Sequence, residues 1–396
     1  MRLVEVLDEA KSVVDDAIEL RRRIHRHPEL GLALPRTQAA ILEALDGLPL
    51  DVKTGQRTTS VVARLTGGRP GPTLLLRGDM DALPLKEDTG LPFASEVEGT
   101  MHACGHDAHV AMLVAAARVL ARRRQTLPGS IVFMFQPGEE GYHGARVMLE
   151  EGLLDGAAPP TGAFALHVTH RQAAGVVATR PGPTMASGDT IHIVVRGKGG
   201  HASAPHDCID PIPIACEMVQ AFQTLITRRV NVFDPAVITI GKIEAGTARN
   251  VIPETATLLG TVRTVSETTR ERVLDGVRRV AEGVAAAHGA DVAVELIRGY
   301  PVTVNDADFA RFVLETAREL LGEERVHEMR HPVMGSEDFS YVLQRVPGAM
   351  ANLGTRPDTG PVFPNHSNRM LVNESALVNG IAMHAAVALR FFERGA

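Results

Sequence analysis

Apolar residues along the first half of the chain gather in short continuous runs, Val61–Leu65, Thr73–Arg77, Ile131–Gln136 and Ala163–Leu166. Longer stretches with helical spacing, such as Ala108–Arg123, separate them. Continuous apolar strands that alternate with helices predict an open α/β sheet covered on both faces. From about Ser187 the rhythm changes. Strand patterns at Thr190–Arg196, Ala236–Ile243, Ala256–Thr264 and Asp291–Arg298 interleave with helical patterns at Asp210–Arg229 and Glu267–His288, in the order β-α-β-β-α-β. Ser266 can cap the second of these helices and Gly289 can end it. That order fits a ferredoxin-like α+β unit. After Tyr300 the earlier patterns resume, so the fold predicted is an α/β domain with an open, mostly parallel sheet over residues 1–186 and 299–396. The α+β unit over 187–298 is inserted within it.

The segments that follow the apolar runs carry the polar chemistry. Gly78-Asp-Met-Asp81 follows the second run, Pro137-Gly-Glu-Glu140 the third and His167 the fourth. Open α/β sheets place ligands at the carboxyl ends of their strands, so these segments can meet in one crevice. Met101-His-Ala-Cys-Gly-His-Asp-Ala-His109 adds a thiol, imidazoles and a carboxylate. A lone buried Cys or His is usually a packing residue, but the clustering of Cys104 and His106 points to a metal site. That donor mixture suits zinc, cobalt or manganese better than calcium, which prefers oxygen. His102 and His109 receive no role from spacing. Glu139 and Glu140 are adjacent, so one can bind a metal while its neighbour faces substrate and acts as a base near water. Asp81 can orient a ligand from behind.

Composition narrows the function classes. The chain has 396 residues, 44% of them hydrophobic, and a formal net charge of −6. With no basic stripe and no polybasic patch, it is expected to bind neither nucleic acid nor membrane, and to act on a small molecule or peptide. The runs Arg21–Arg23 and Arg122–Arg124 read as solvated helix ends. Ala111–Ala121 is apolar but short for a bilayer span and interrupted by Arg118. Three cysteines do not make a disulfide framework, and a thiolate ligand needs reducing surroundings, so a cytoplasmic location is expected. Gly197-Lys-Gly-Gly-His-Ala202 formally matches a dinucleotide fingerprint, but Pro205 follows too soon and the surrounding order is not a parallel βαβ unit. Its glycines are read as a turn that presents His201.

The segments Arg21–Gly31, Gly78–Pro84, His102–Asp107, Gly138–Glu140, Gly199–His206 and Gly335–Phe339 together resemble the M20 peptidase and amidohydrolase family, most closely its hippurate hydrolase and N-acyl-amino-acid amidohydrolase branch. The resemblance implies that Cys104, His106, Glu140, His167 and His366 hold two divalent metal ions (zinc, manganese or cobalt). It implies Glu139 as general base, Asp81 as the orienting carboxylate and His201 as the group that stabilises the oxyanion, often from the partner subunit. Asn250 and Arg263 match positions near the substrate carbonyl and carboxylate. The inserted unit would be a lid or dimerisation domain in a homodimer or a dimer of dimers. The expected reaction is cleavage of an N-acyl amino acid to a carboxylic acid and an amino acid. Alternatives are a metallo-carboxypeptidase or dipeptidase on short peptides, a biosynthetic N-acetyl-amino-acid deacetylase and, more remotely, a non-catalytic metal-dependent binding protein. Cys208, Ser336 and Asn368 depart from the residues most usual at their positions.

Overall fold

The computed structural model describes residues 3–156 and 158–394. The chain divides into two compact units. The first runs to Gly182 and resumes over Val304–Arg330 and from Tyr341. The second comprises Pro183–Thr303 and His331–Ser340.

The first unit is built on an eight-stranded sheet in the order Asp51–Thr54, Val61–Thr66, Pro128–Gln136, Arg69–Asp79, Gly162–Ala173, Gly348–Arg356, Val177–Thr179, Val326–Glu328. Its four central strands, from Pro128–Gln136 to Gly348–Arg356, are mutually parallel, and antiparallel strands lie outside them. Those central strands are continuously buried over long stretches, Thr73–Asp79, Gly129–Gln136, Gly162–Leu166 and Gly348–Ala351, whereas Val61–Thr66 alternates and Asp51–Thr54 is exposed throughout. Continuous burial is what a parallel sheet covered on both faces requires. Residues of the Leu3–Lys11, Val14–Arg26, Pro35–Leu45, His106–Ala121, Ala307–Leu321 and Leu377–Arg394 helices share one apolar core with the strands. The last of these is long and apolar enough to cross a membrane by composition, but Leu377, Ile381, Met383 and Val387 are buried in that core.

The second unit has a four-stranded antiparallel sheet in the order Ala236–Ala245, Thr255–Thr264, Gly188–Arg196, Asp291–Tyr300. With the Pro211–Arg229 and Glu267–Ala287 helices this is the β-α-β-β-α-β arrangement that the hydrophobic pattern predicts. Alternate residues Ile191, Ile193 and Val195 point into a core shared with Met218, Phe222, Val273 and Val277. Both helix starts are capped by side chains: Asp210 accepts from the Ile212 N–H and Ser266 from the Thr269 N–H. Gly289 adopts φ +68° just beyond the second helix, the left-handed end that only glycine takes without cost. The buried Asp189 carboxylate accepts two bonds from Arg270, at 2.8 and 2.6 Å, fixing that helix to the sheet.

Two expectations need correction. The unit boundaries fall at Pro183 and Thr303 instead of at residues 187 and 298, and His331–Ser340 groups with the second unit. That segment has no periodicity to announce it and is held by scattered hydrogen bonds, among them the Val333 N–H on the Thr184 carbonyl, the Ala186 N–H on the Val333 and Gly335 carbonyls and the Arg263 guanidinium on Ser336 Oγ. Arg21 is not a solvated helix end. It is 2% exposed and pairs with Asp107 and Glu374, residues far away in sequence.

Candidate metal and catalytic site

Three strands of the first unit bring the donors together. Arg69–Asp79 ends on Asp79 and leads to Asp81, Pro128–Gln136 leads to Glu139 and Glu140, and Gly162–Ala173 carries His167. His167 is not at a strand end as expected, because its strand continues to Ala173. The Cys104–His106 segment enters the long His106–Ala121 helix through Gly105, whose φ is +86°. A Cβ there would collide with Val168 Cγ2, so glycine is needed both for conformation and for the close approach of the Cys104–His106 segment to the His167 strand.

The potential ligand atoms of Cys104, His106 and His167 lie within 4.8 Å of one another, as do those of Cys104, Glu140 and His366, and those of His106, Glu139 and Glu140. The shared members join all the expected ligands and Glu139 in one cluster. Cys104 Sγ is 3.5 Å from His167 Nε2, and His366 Nε2 is 3.2 Å from Glu140 Oε1. His106 Nε2 lies 3.3 Å from Asp79 and 3.9 Å from Glu140, and its Nδ1 lies 3.4 Å from Asp81. Although buried, both nitrogens of His106 and Oε1 of Glu140 lack a hydrogen bond of proper geometry. Buried polar atoms are ordinarily satisfied, so converging orphan atoms that each offer a lone pair, an imidazole nitrogen and a carboxylate oxygen, fit a cation between them.

Tautomers support the same fit. The Val168 carbonyl can only accept, so the 2.7 Å contact from His167 Nδ1 places a proton there and leaves Nε2, facing Cys104, as the nitrogen that would give up its proton to a metal. Burial and the Glu140 carboxylate oppose ionisation of Cys104, yet His167 and His106 outweigh them and bring the thiol down to about 6. Burial works against the His167 imidazolium, but the Cys104 thiolate raises it to about 9. Contacts with Cys104 and Glu140 raise His366 to about 10. A thiolate at neutral pH is the form that binds a metal.

Asp81 is 1% exposed and sits behind the two glutamates. One of its oxygens accepts the Glu139 N–H at 3.0 Å and the other the Glu140 N–H at 2.9 Å. Since the same carboxylate also faces His106 Nδ1, one side chain sets the direction of the His106 ring and of the whole Glu139–Glu140 turn. Gly138, at φ +72°, makes that turn possible beside Leu32.

Several residues that spacing could not reveal complete the scaffold. His109, left without a role by the sequence, bonds Asp79 through Nδ1 and accepts the Val168 N–H at Nε2, 2.8 Å away. Burial holds this ring neutral, down to about 4, as those contacts require. Asp79 is itself paired with Arg77 at 2.7 Å; although burial opposes its charge, Arg77, His106 and His109 hold its carboxyl well below the usual range. Asp107 binds His25 and Arg21 at the start of the His106–Ala121 helix, so the charged motif near the N-terminus buttresses the first turn of that helix. Helical periodicity in the first thirty or so residues carries no trace of these pairings.

His201, Asn250 and Arg263 belong to the second unit. His201 is exposed on a short strand paired with Val251–Ile252, and its Nδ1 bonds the Ser203 hydroxyl at 2.7 Å. The exposed Asn250 lies beside it, its carbonyl accepting the Ala202 N–H. Arg263, on the Thr255–Thr264 strand, donates to Ser336 Oγ at 2.9 Å. The structure therefore joins the expected ligands with Glu139 and Asp81 in the first unit and places these three residues in the second.

A buried thiolate, imidazoles and paired glutamates gathered by the central strands of an α/β sheet define a metal-dependent amide hydrolase. Residues 75–390 match the Peptidase family M20/M25/M40, and the chain belongs to the M20 family. It is 39% identical to "Thermostable carboxypeptidase 1" of Saccharolobus solfataricus, over 99% of each protein. It is 40% identical to "N-acetylcysteine deacetylase" of Bacillus subtilis, over 85% of this chain and 88% of that one. Among solved structures, a Bacillus subtilis protein described as a dinuclear metal binding peptidase from the M20 family superposes with a TM-score of 0.84 at 34% identity, covering 97% of this chain and 99% of that one.

Proposed function

We propose that this enzyme hydrolyses the amide bond of N-acyl amino acids, releasing a carboxylic acid and an amino acid, with two divalent ions held by Cys104, His106, Glu140, His167 and His366. The observation that carries the proposal is the Asp81 clamp, which fixes Glu140 among the donors and Glu139 next to them in the same turn. The ions, when bound, supply Lewis-acid stabilisation of the carbonyl oxygen and favour ionisation of water. A thiolate among imidazoles and carboxylates suits zinc, cobalt or manganese.

The chain's own groups perform the remaining steps. Glu139 removes a proton from the attacking water as the water oxygen bonds to the acyl carbon, and the carbonyl π electrons move to oxygen. Glu139 then gives that proton to the nitrogen as the C–N bond breaks, so base and acid are the same carboxylate in turn. The reading assigns stabilisation of the oxyanion to His201 in a homodimer, contact near the carbonyl to Asn250 and the carboxylate of the amino acid to Arg263, whose fork can bind it in two places.

Similarity to a carboxypeptidase supports a second reading, in which the acyl group is itself an amino acid. A panel of N-acetyl amino acids, N-benzoyl amino acids and dipeptides, assayed on protein reloaded separately with zinc, manganese or cobalt, separates the two. N-acyl amino acids are expected to exceed dipeptides in kcat/KM by at least about tenfold, a difference of roughly 1.4 kcal/mol in transition-state binding. The reverse order would establish the peptidase reading.

A further inference from the structure

We propose that Asn365 is a positioning residue that ties Cys104, His167 and His366 into one ligand field. The inference rests on the metal-binding reading above and extends it to a residue that is not itself a ligand. The side-chain amide of Asn365 is half-buried between the segments that carry these donors. Its Nδ2 lies 3.2 Å from the Cys104 carbonyl and 3.2 Å from the Val168 carbonyl, with Cys104 Sγ 3.9 Å away. Two carbonyls on one side of the amide require the NH2 group there, and both its hydrogens are used. Its Oδ1 then faces His170 Nδ1 at 2.9 Å and accepts from it in the Nδ1–H tautomer, while the Asn365 N–H lies 3.3 Å from the same nitrogen, so His170 faces the residue in either tautomer.

Each of these contacts acts on a ligand. The Val168 carbonyl is also the acceptor that holds His167 Nδ1, so Asn365 fills its second lone pair and fixes the peptide that sets the His167 ring. The contact with the Cys104 carbonyl fixes the backbone from which the thiolate projects. His366 follows Asn365 directly. Its own N–H donates to the Ala103 carbonyl at 2.7 Å and its φ is +68°, a left-handed conformation that a non-glycine residue keeps only where its surroundings impose it. Asn365 and His366 thus staple the late ligand segment across residues 103 and 104, a link between positions 261 residues apart.

Asn365→Asp keeps the shape and replaces the donor by an oxygen facing two carbonyls, and Asn365→Ser keeps a single hydroxyl donor. The metal-free full-length proteins are titrated with cobalt, following uptake and the thiolate-to-cobalt charge-transfer absorption. Expected are affinity about 10- to 100-fold weaker than wild type for Asn365→Asp, a smaller loss for Asn365→Ser and an altered charge-transfer band, with thermal unfolding of the metal-free variants close to wild type. Affinity and band unchanged in Asn365→Asp would overturn the inference. So would a variant that is destabilised without metal yet keeps the wild-type band, since that is a purely structural role. Wild-type protein that takes up no cobalt would instead overturn the metal-binding reading on which the inference rests.

Discussion

Replacing Glu139 by Gln is expected to lower kcat by about 10²- to 10⁴-fold, the usual contribution of a positioned acid-base group and equivalent to roughly 3–5 kcal/mol of barrier. Metal content should stay at the wild-type level. The Asp81 clamp holds the Glu139–Glu140 turn through backbone N–H groups, which the glutamine variant retains, and the substitution leaves Glu140, Cys104, His106, His167 and His366 in place. A neutral amide of the same size cannot take a proton from water or return it to nitrogen. Because water must be activated for any substrate, the loss should appear with N-acetyl and N-benzoyl amino acids alike, in kcat and kcat/KM equally. Steady-state kinetics beside metal analysis of the purified variant gives both quantities. A variant with ordinary turnover would remove Glu139 from its assigned role, and one that had lost its metals would make it a ligand.

Asp81→Asn should act differently, on metal and turnover together. Both carboxylate oxygens of Asp81 accept backbone N–H groups and one also faces His106 Nδ1. An amide in this buried position turns one acceptor into a donor that points at another donor. The turn must then shift or leave an N–H without a partner, at a cost of about 1–3 kcal/mol. The movement reaches Glu140 and His106 together, so metal affinity is expected to fall about 10- to 100-fold, with kcat reduced even at saturating metal because Glu139 moves with its neighbour. Competition against a chelator of known affinity, followed by kinetics at saturating metal, separates these components. Wild-type affinity in Asp81→Asn would show that the clamp is dispensable.

The architecture was legible in the sequence wherever burial imposes a period. Continuous apolar runs marked the central strands, and the switch to alternation near Thr190 marked the second unit, because one face of its sheet is covered and the other is not. The donors were legible because Cys104 and His106 are close in sequence and Glu139 and Glu140 follow a strand. His366 stands out only as a further potential donor late in the chain, and its place in a donor set comes from the resemblance to a family, since it lies far in sequence from the other donors. The scaffold behind the donors was not legible. His109 reaches Val168 and Asn365 reaches Cys104 through single hydrogen bonds between distant segments, and such bonds leave no periodicity. Arg21 was misread for the same reason: three arginines in a row resemble a solvated run, and only the fold shows Arg21 turned inward to Asp107. Residues 331–340 were assigned to the wrong unit because a segment without regular structure announces nothing about where it packs.

Titration of metal-stripped protein, with amide hydrolysis measured at each addition, decides whether the donor cluster is a working two-metal centre. Stripped protein is expected to be inactive and to take up two divalent ions per chain, activity rising with their binding, and Cys104→Ala and His106→Ala chains are expected to bind fewer ions and stay inactive. Stripped protein that cleaves an N-acyl amino acid at the full rate, or a Cys104→Ala chain with wild-type uptake and turnover, would contradict the two-metal centre.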